Sequence, residues 1–277
     1  MNGTVGRKKP LSPVHKAGFA AFLFSGGLLF TQPKWAAWPL GLYCLFCLTA
    51  AFLPRAGLFL PVISRGAGDR RQVALTFDDG PDPEVTAPLL ELLARHQIPA
   101  TFFVAGIKAE AHPALIREIL GQGHEVGNHS YHHDPLLMLR SRTRLYNEIA
   151  RTQEALAPFG IRPIAFRPPV GITNPRLPGV LEALAMECVT FNCRAVDFGN
   201  RRIKGLERTI LKKVRPGAII LLHDVVPPGG SSGEWLGKVE TILLGLRAQG
   251  YAIVSLSQLT GRPAMEKLQE REVQEGI

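Results

Sequence analysis

From Gln72 to Leu259 short apolar runs alternate with stretches of helical period, and this alternation constrains the fold more than any other feature. Strands are predicted at 73–77 (VALTF), 100–106 (ATFFVAG), 124–130 (HEVGNHS), 164–169 (IAFRPP), 187–192 (ECVTFN), 218–223 (AIILLH) and 251–259 (YAIVSLSQL). Helices are expected over 84–96, 113–122, 142–158, 176–186, 205–214 and 234–249. In the first of these, Leu89, Leu90, Leu92 and Leu93 recur at the spacing of one helical face. Strands that alternate with helices argue a parallel sheet with helices outside. Seven units exceed one half of a doubly wound sheet, so the expected α/β fold is a distorted (β/α)7-type barrel, closed or nearly so. Barrels of this kind do their chemistry at the C-terminal ends of the strands.

The net charge of +9 is unevenly distributed, with nine Lys/Arg and one Asp in residues 1–71. The remaining 206 residues are close to neutral, which removes the main support for a nucleic-acid partner. The basic segment also holds two uncharged runs, Ala17–Phe30 and the 19-residue Trp35–Leu53, separated by Thr-Gln-Pro-Lys. A bilayer core takes about 20 residues at about 1.5 Å each, so the expectation is an N-terminal transmembrane helical hairpin, with membrane lipid as a partner. Trp35, Trp38 and Tyr43 would sit near an interface. A single span and a cleaved signal peptide are the competing readings, since Arg7, Lys8, Lys9 and Lys16 form a charged leader. Basic residues at both ends, with only Lys34 between, favour both termini and the catalytic domain in the cytoplasm. A single span would put the domain outside. The resulting division is a basic tail (1–16), two membrane helices (17–53), a basic linker (54–71), a domain (72–260) and a charged tail (261–277). Cys44, Cys47, Cys188 and Cys193 read as small buried hydrophobes.

The strand ends carry the chemistry. The first ends in Asp78-Asp79-Gly80, and the third runs into His129-Ser130-Tyr131-His132-His133. The fourth ends in Arg167, the fifth leads to Asp197, and the sixth ends in His223. Taken singly, Asp-Gly-Pro is a turn, a His pair is a surface feature, and a His after IILL is a core residue. Their arrival at one sheet edge argues otherwise. Two imidazoles four apart and one carboxylate form a facial ligand set that suits zinc and other divalent transition metals. The second carboxylate is then free as a base, Arg167 can hold it, and His223 can act as an acid.

At these residues the sequence resembles the polysaccharide deacetylase family, whose module is the NodB-homology domain. TFDDGP (76–81), HSYHH (129–133), RPPVG (167–171), VDF (196–198) and LLH (221–223) follow the family's motifs in order. The resemblance implies metal-dependent removal of an N-acyl group from an amino sugar. It makes Asp78 the base, Asp79, His129 and His133 the metal ligands, and His223 the acid. Arg167 would then orient Asp78, and Asp197 would orient His223. Val170, Arg194 and Phe198 depart from the family pattern and put a standard long-chain chitin or peptidoglycan substrate in question. The expected partner is an N-acylated amino-sugar glycan or, for a domain facing the cytoplasm, a lipid-linked sugar. Hydrolysis of a ureide or cyclic amide, or non-catalytic glycan or lipid binding, are the rival readings.

Overall fold

The computed structural model describes residues 12–268. It opens with two helices, α1 (Pro13–Thr31) and α2 (Trp38–Ala51), followed by β1 (Val62–Ile63). The first half of the domain contains β2 (Gln72–Asp78), α3 (Thr86–Arg95), β3 (Thr101–Val104), α4 (Gly106–Ala111), α5 (Pro113–Gly121) and β4 (Glu125–Asn128). Then come α6 (Arg142–Leu156), β5 (Ile161–Pro163), β6 (Ala165–Phe166), α7 (Leu177–Ala183), β7 (Glu187–Val189) and β8 (Cys193–Arg194). The chain continues through α8 (Leu206–Lys213), β9 (Ala218–His223), α9 (Ser232–Ala248), β10 (Ala252–Val254), α10 (Leu256–Thr260) and β11 (Met265–Lys267).

The main sheet runs β1-β7-β6-β4-β3-β2-β9-β8, with β10 beside the start of β2, and all its ladders are parallel. Alternation along each strand divides its side chains between two clusters. On β2, Val73, Leu75 and Phe77 pack outward with Leu89, Leu90, Leu92 and Leu93 of α3. Burying each such leucine stabilises the fold by about 1.5–3 kcal/mol. Ala74 faces inward with Phe103, Ala165, Val189 and Ile219. Thr76 and Asp78 follow it on that inner face at two-residue steps. On β9, Ile219, Leu221 and His223 take the same side. The register sets Asp78 directly beside His223.

Four expectations are corrected. The sheet is an open, curved half-barrel with β1 and β8 at its edges, and not a closed (β/α)7 barrel. Its ends approach through the bridge Arg65–Ala218, the Gly66 N–H to Gly217 O bond of 2.8 Å, and Asn192 between β7 and β8, whose N–H donates to Ile219 O at 3.3 Å and whose Oδ1 accepts from Ile219 N–H at 2.9 Å. Residues 54–71 are more than a linker, because Val62 and Ile63 pair with Cys188 and Val189. The tail supplies β11, which pairs antiparallel with β5, while residues 269–277 of it and residues 1–11 lie outside the described residues. The fourth concerns the hairpin. A turn at Pro33–Trp35 takes the start of the second apolar run, leaving α2 with 14 residues. That length rises only about 21 Å, short of a bilayer core of about 30 Å. Among the described residues α1 alone is long and apolar enough to cross a membrane. A two-span topology is therefore not supported, and the cytoplasmic placement rested on it.

The two helices nonetheless pack together and onto the domain. Gly18 allows the close approach of Tyr43, whose ring would lie 2.7 Å from a Cβ there. Val14 and Ala50 are buried with Phe59, Leu60, Leu137 and Phe166, and the Thr173 N–H donates to the Ala51 carbonyl at 3.2 Å.

Candidate functional site

Successive strand residues face opposite sides, so Asp78 and Asp79 can share a pocket only if the strand stops between them. It does. Asp79 takes a left-handed backbone at φ 75°, which swings its carboxylate to the same groove as Asp78. Such a conformation costs a non-glycine residue about 1–3 kcal/mol. Gly80 follows because no side chain fits, since a Cβ there would lie 2.0–2.3 Å from the Asp224 carboxylate.

The histidine loop after β4 is built by two further reversals, at Ser130 (φ 66°) and His133 (φ 53°). They bring the rings of His129 and His133 to 4.8 Å between centroids. Asp79 Oδ1 lies 3.0 Å from His133 Nε2 and 3.4 Å from His129 Nε2. His129 Nδ1 is 2.7 Å from the carbonyl of Arg167. A carbonyl only accepts, so Nδ1 donates, and Nε2, the atom nearer Asp79, is the ring nitrogen left to face a metal ion. Burial works to raise the Asp79 pKa, but the hydrogen bonds and charges of His129 and His133 outweigh it and hold the carboxyl well below its usual range. The three ligand atoms lie within 4.8 Å of one another, and this donor set fits a divalent cation.

Arg167 is fully buried. Its Nη1 donates to Asp78 Oδ1 at 2.6 Å and to Thr76 Oγ1 at 2.8 Å, and its Nη2 to the Thr190 carbonyl at 3.2 Å. The guanidinium also lies 3.9 Å from the Phe103 ring centroid. Asp78 is thereby fixed by a charge-assisted bond in a dry setting, with Oδ2 left 3.7 Å from His129 Nε2. On the other side, His223 Nδ1 meets Asp197 Oδ2 at 2.8 Å. Burial disfavours the charged imidazole, yet the Asp197 bond and charge, with Asp79 and Asp78 nearby, push its pKa up to about 9.

All seven residues singled out in the sequence meet around this one site. Several others that support it carry no local signal in the sequence. Lys108 Nζ donates to the Asp79 carbonyl at 2.7 Å. Asn200 donates to the carbonyls of His223 (2.8 Å) and Val225 (2.7 Å) and accepts from Trp235 Nε1 at 3.1 Å. Glu148, buried, holds His132 through both its ring and its backbone N–H. Only adjacency to His223 could have flagged Asp224.

The site opens into a groove of about 750 Å³. Val170, Arg194 and Phe198, the departures from the family pattern, all line it, as do Arg201 and Phe52 at the end of α2.

A parallel sheet whose strand ends gather two histidines and a carboxylate, a braced second carboxylate and an Asp-paired histidine is equipped to hydrolyse an amide. A family model described as polysaccharide deacetylase matches residues 65–189. The chain is 34% identical over 219 residues to the peptidoglycan-N-acetylglucosamine deacetylase PgdA of Listeria monocytogenes, covering 79% of this chain and 44% of that protein. It is 32% identical over 206 residues to a chitooligosaccharide deacetylase of Rhizobium leguminosarum bv. trifolii, covering 69% and 92% respectively. The crystal structure of the Bc1960 peptidoglycan N-acetylglucosamine deacetylase superposes with a TM-score of 0.66 at 30% identity, covering 75% of this chain and 95% of that one. The chain belongs to the polysaccharide deacetylase family. It spans less than half the length of the Listeria relative.

Proposed function

We propose that the protein is a metal-dependent hydrolase that removes the N-acetyl group from an amino sugar of a glycan. The observation that carries this reading is the convergence of Asp79, His129 and His133 beside an Arg-held Asp78 and an Asp-held His223. The names of the relatives, which act on peptidoglycan and on chitooligosaccharide, support the substrate class.

Asp79, His129 and His133 would hold the divalent ion, and zinc suits such a set. When bound, the ion supplies positive charge that acidifies an attacking water and offsets charge developing on the amide oxygen. Asp78, fixed by Arg167, takes a proton from that water. His223, still protonated at neutral pH, gives a proton to the departing nitrogen. Asp197 keeps the His223 ring oriented and favours its charged form. The amide C–N bond breaks, and acetate and a free amine leave. The domain responsible extends from β1 to β11, and α1, at about 28 Å, anchors it to a lipid bilayer.

The test combines zinc titration calorimetry with amine release from chitotetraose and from peptidoglycan fragments. Loss of an outer-shell partner alone weakens metal binding by about 10–100-fold. D79A and H129A are expected to weaken it further and to abolish amine release. Full release by either purified variant refutes the assignment.

A further inference from the structure

Neutral glycans are gripped by hydrogen bonds and stacking, and have no use for unpaired cations. The groove has two. Arg194, at the end of β8, and Arg201, in the turn after Asp197, both line it and both are exposed. Among the described residues neither forms an ion pair, and Arg194 instead lies 5.2 Å from the Phe191 ring centroid. Asp197, the carboxylate between them in sequence, is committed to His223. Two guanidinium groups without counter-charge beside a hydrolytic site suit a phosphate.

A second feature shares the rim. Phe52, 69% exposed, lines the groove from the end of α2, and Val170, Val196 and Phe198 are exposed around it. Leu53 beside it is exposed, and Leu48 and Leu45, also exposed, precede Phe52 at the spacing of one helical face. The pair is fixed there, because the Ala51 carbonyl accepts from Thr173, next to Val170, Gly171 and Ile172, which line the groove. The chemistry, the two cations and the end of the helical pair therefore line one groove.

We propose that the substrate is an N-acetylated amino sugar joined through a phosphate or diphosphate to a long hydrocarbon chain. Arg194 and Arg201 take the phosphate, and the Phe52 side of the helical pair receives the chain as it leaves the bilayer. The proposal rests on the deacetylase reading and names its substrate. Water and the amide are consumed, acetate and amine are formed, and the sugar–phosphate bond stays intact.

The experiment uses the full chain, zinc-loaded, in mixed micelles. Amine release is measured from a polyprenyl-phosphate N-acetylhexosamine, from the same sugar carried on a nucleoside diphosphate, and from chitotetraose. The lipid-linked sugar is expected to give a kcat/KM at least about 100-fold above chitotetraose, the worth of two charge-assisted contacts and a buried chain, and at least about 10-fold above the nucleotide-linked sugar, which shares the phosphate contacts but lacks the chain. In R194Q/R201Q its advantage over chitotetraose falls at least about 10-fold, mostly through KM. In F52S its advantage over the nucleotide-linked sugar falls. Chitotetraose matching the lipid-linked sugar overturns the proposal alone, and so does an arginine variant that slows all three equally. Equal turnover of the nucleotide-linked sugar overturns the lipid component. Release from none of the three overturns the deacetylase reading and this inference with it.

Discussion

Asp224 carries a measurable consequence for stability. Its carboxyl is fully buried behind the Asp78–Gly80 turn, with Oδ2 accepting from Thr86 Oγ1 at 2.9 Å and Oδ1 without a partner among the described residues. Burial pushes its pKa up to about 8. In the unfolded chain the same group titrates near about 3.9. Between those values the folded protein keeps a proton that the unfolded chain has lost, so stability falls as pH rises from about 4 to about 8. At about 1.36 kcal/mol per pKa unit the full span sets an upper bound of about 5.6 kcal/mol, of which at most about 3.6 falls between pH 5 and pH 8, and relaxation around the charge lowers it. Asp224→Asn keeps the shape and removes the titration. Urea unfolding of both proteins at pH 5 and pH 8, at one fixed zinc concentration, isolates this group, because every other titration cancels in the difference. The variant is expected to gain about 1–3.5 kcal/mol on the wild type between the two pH values, whatever constant offset the new amide introduces. A difference that stays the same at both pH values would show that Asp224 ionises as freely in the fold as in the unfolded chain, and the argument would fail.

The pairing of His223 with Asp197 predicts the alkaline limb of kcat/KM. That limb should fall near pH 9 in the wild type, and D197N should move it down by at least about one unit, since the group that raises the imidazole's pKa is gone. The same raised pKa stabilises the fold below about pH 6.5 and loses that contribution as pH climbs through about 9, so D197N should also flatten this decline. An unmoved limb would remove His223 as the acid. Arg167 acts through its side chain on Asp78 and through its backbone carbonyl on His129. Arg167→Lys is therefore expected to lower kcat by about 10–100-fold while zinc affinity changes by less than about threefold, and parallel loss of both would refute the division.

Each of the seven expected strands contains an observed one, because a strand buried on both faces writes itself as an apolar run long enough to read. β1, β5, β8 and β11 lie outside every expected strand, and with two or three residues each they carry no periodicity of their own. Sheet closure was not legible either, since it depends on how the edges meet and not on what any strand contains. The same limit applied to the helical pair. Composition marks Trp35–Leu53 as apolar throughout, but Pro33 and Pro39 decide where the turn ends and α2 begins. Within the site, the groups singled out from the sequence are those whose chemistry is explicit in their side chains. Asn200 and Asp224 act through partners far along the chain, as with the 138 residues separating Thr86 from Asp224.

The backbone conformations explain why the site resisted a purely local reading. Left-handed backbone at non-glycine residues occurs at Asp79, Ser130, His133, Val170, Phe198 and Asn200, all in loops that form the groove or brace it. Two others, Gln97 and Ala185, lie just after α3 and α7, where helices commonly end this way. Each reversal in the groove is disfavoured locally by about 1–3 kcal/mol, and strand alternation or helical period would place the side chain elsewhere. What holds them is the packed sheet beneath. Phe77, Phe102, Phe103 and Phe166 are fully buried on the strands that carry these loops. A rigid apolar scaffold thus sustains the local strain that turns Asp79 and His133 toward a common point. Residue types therefore announce the chemistry here, while only the fold can supply the geometry.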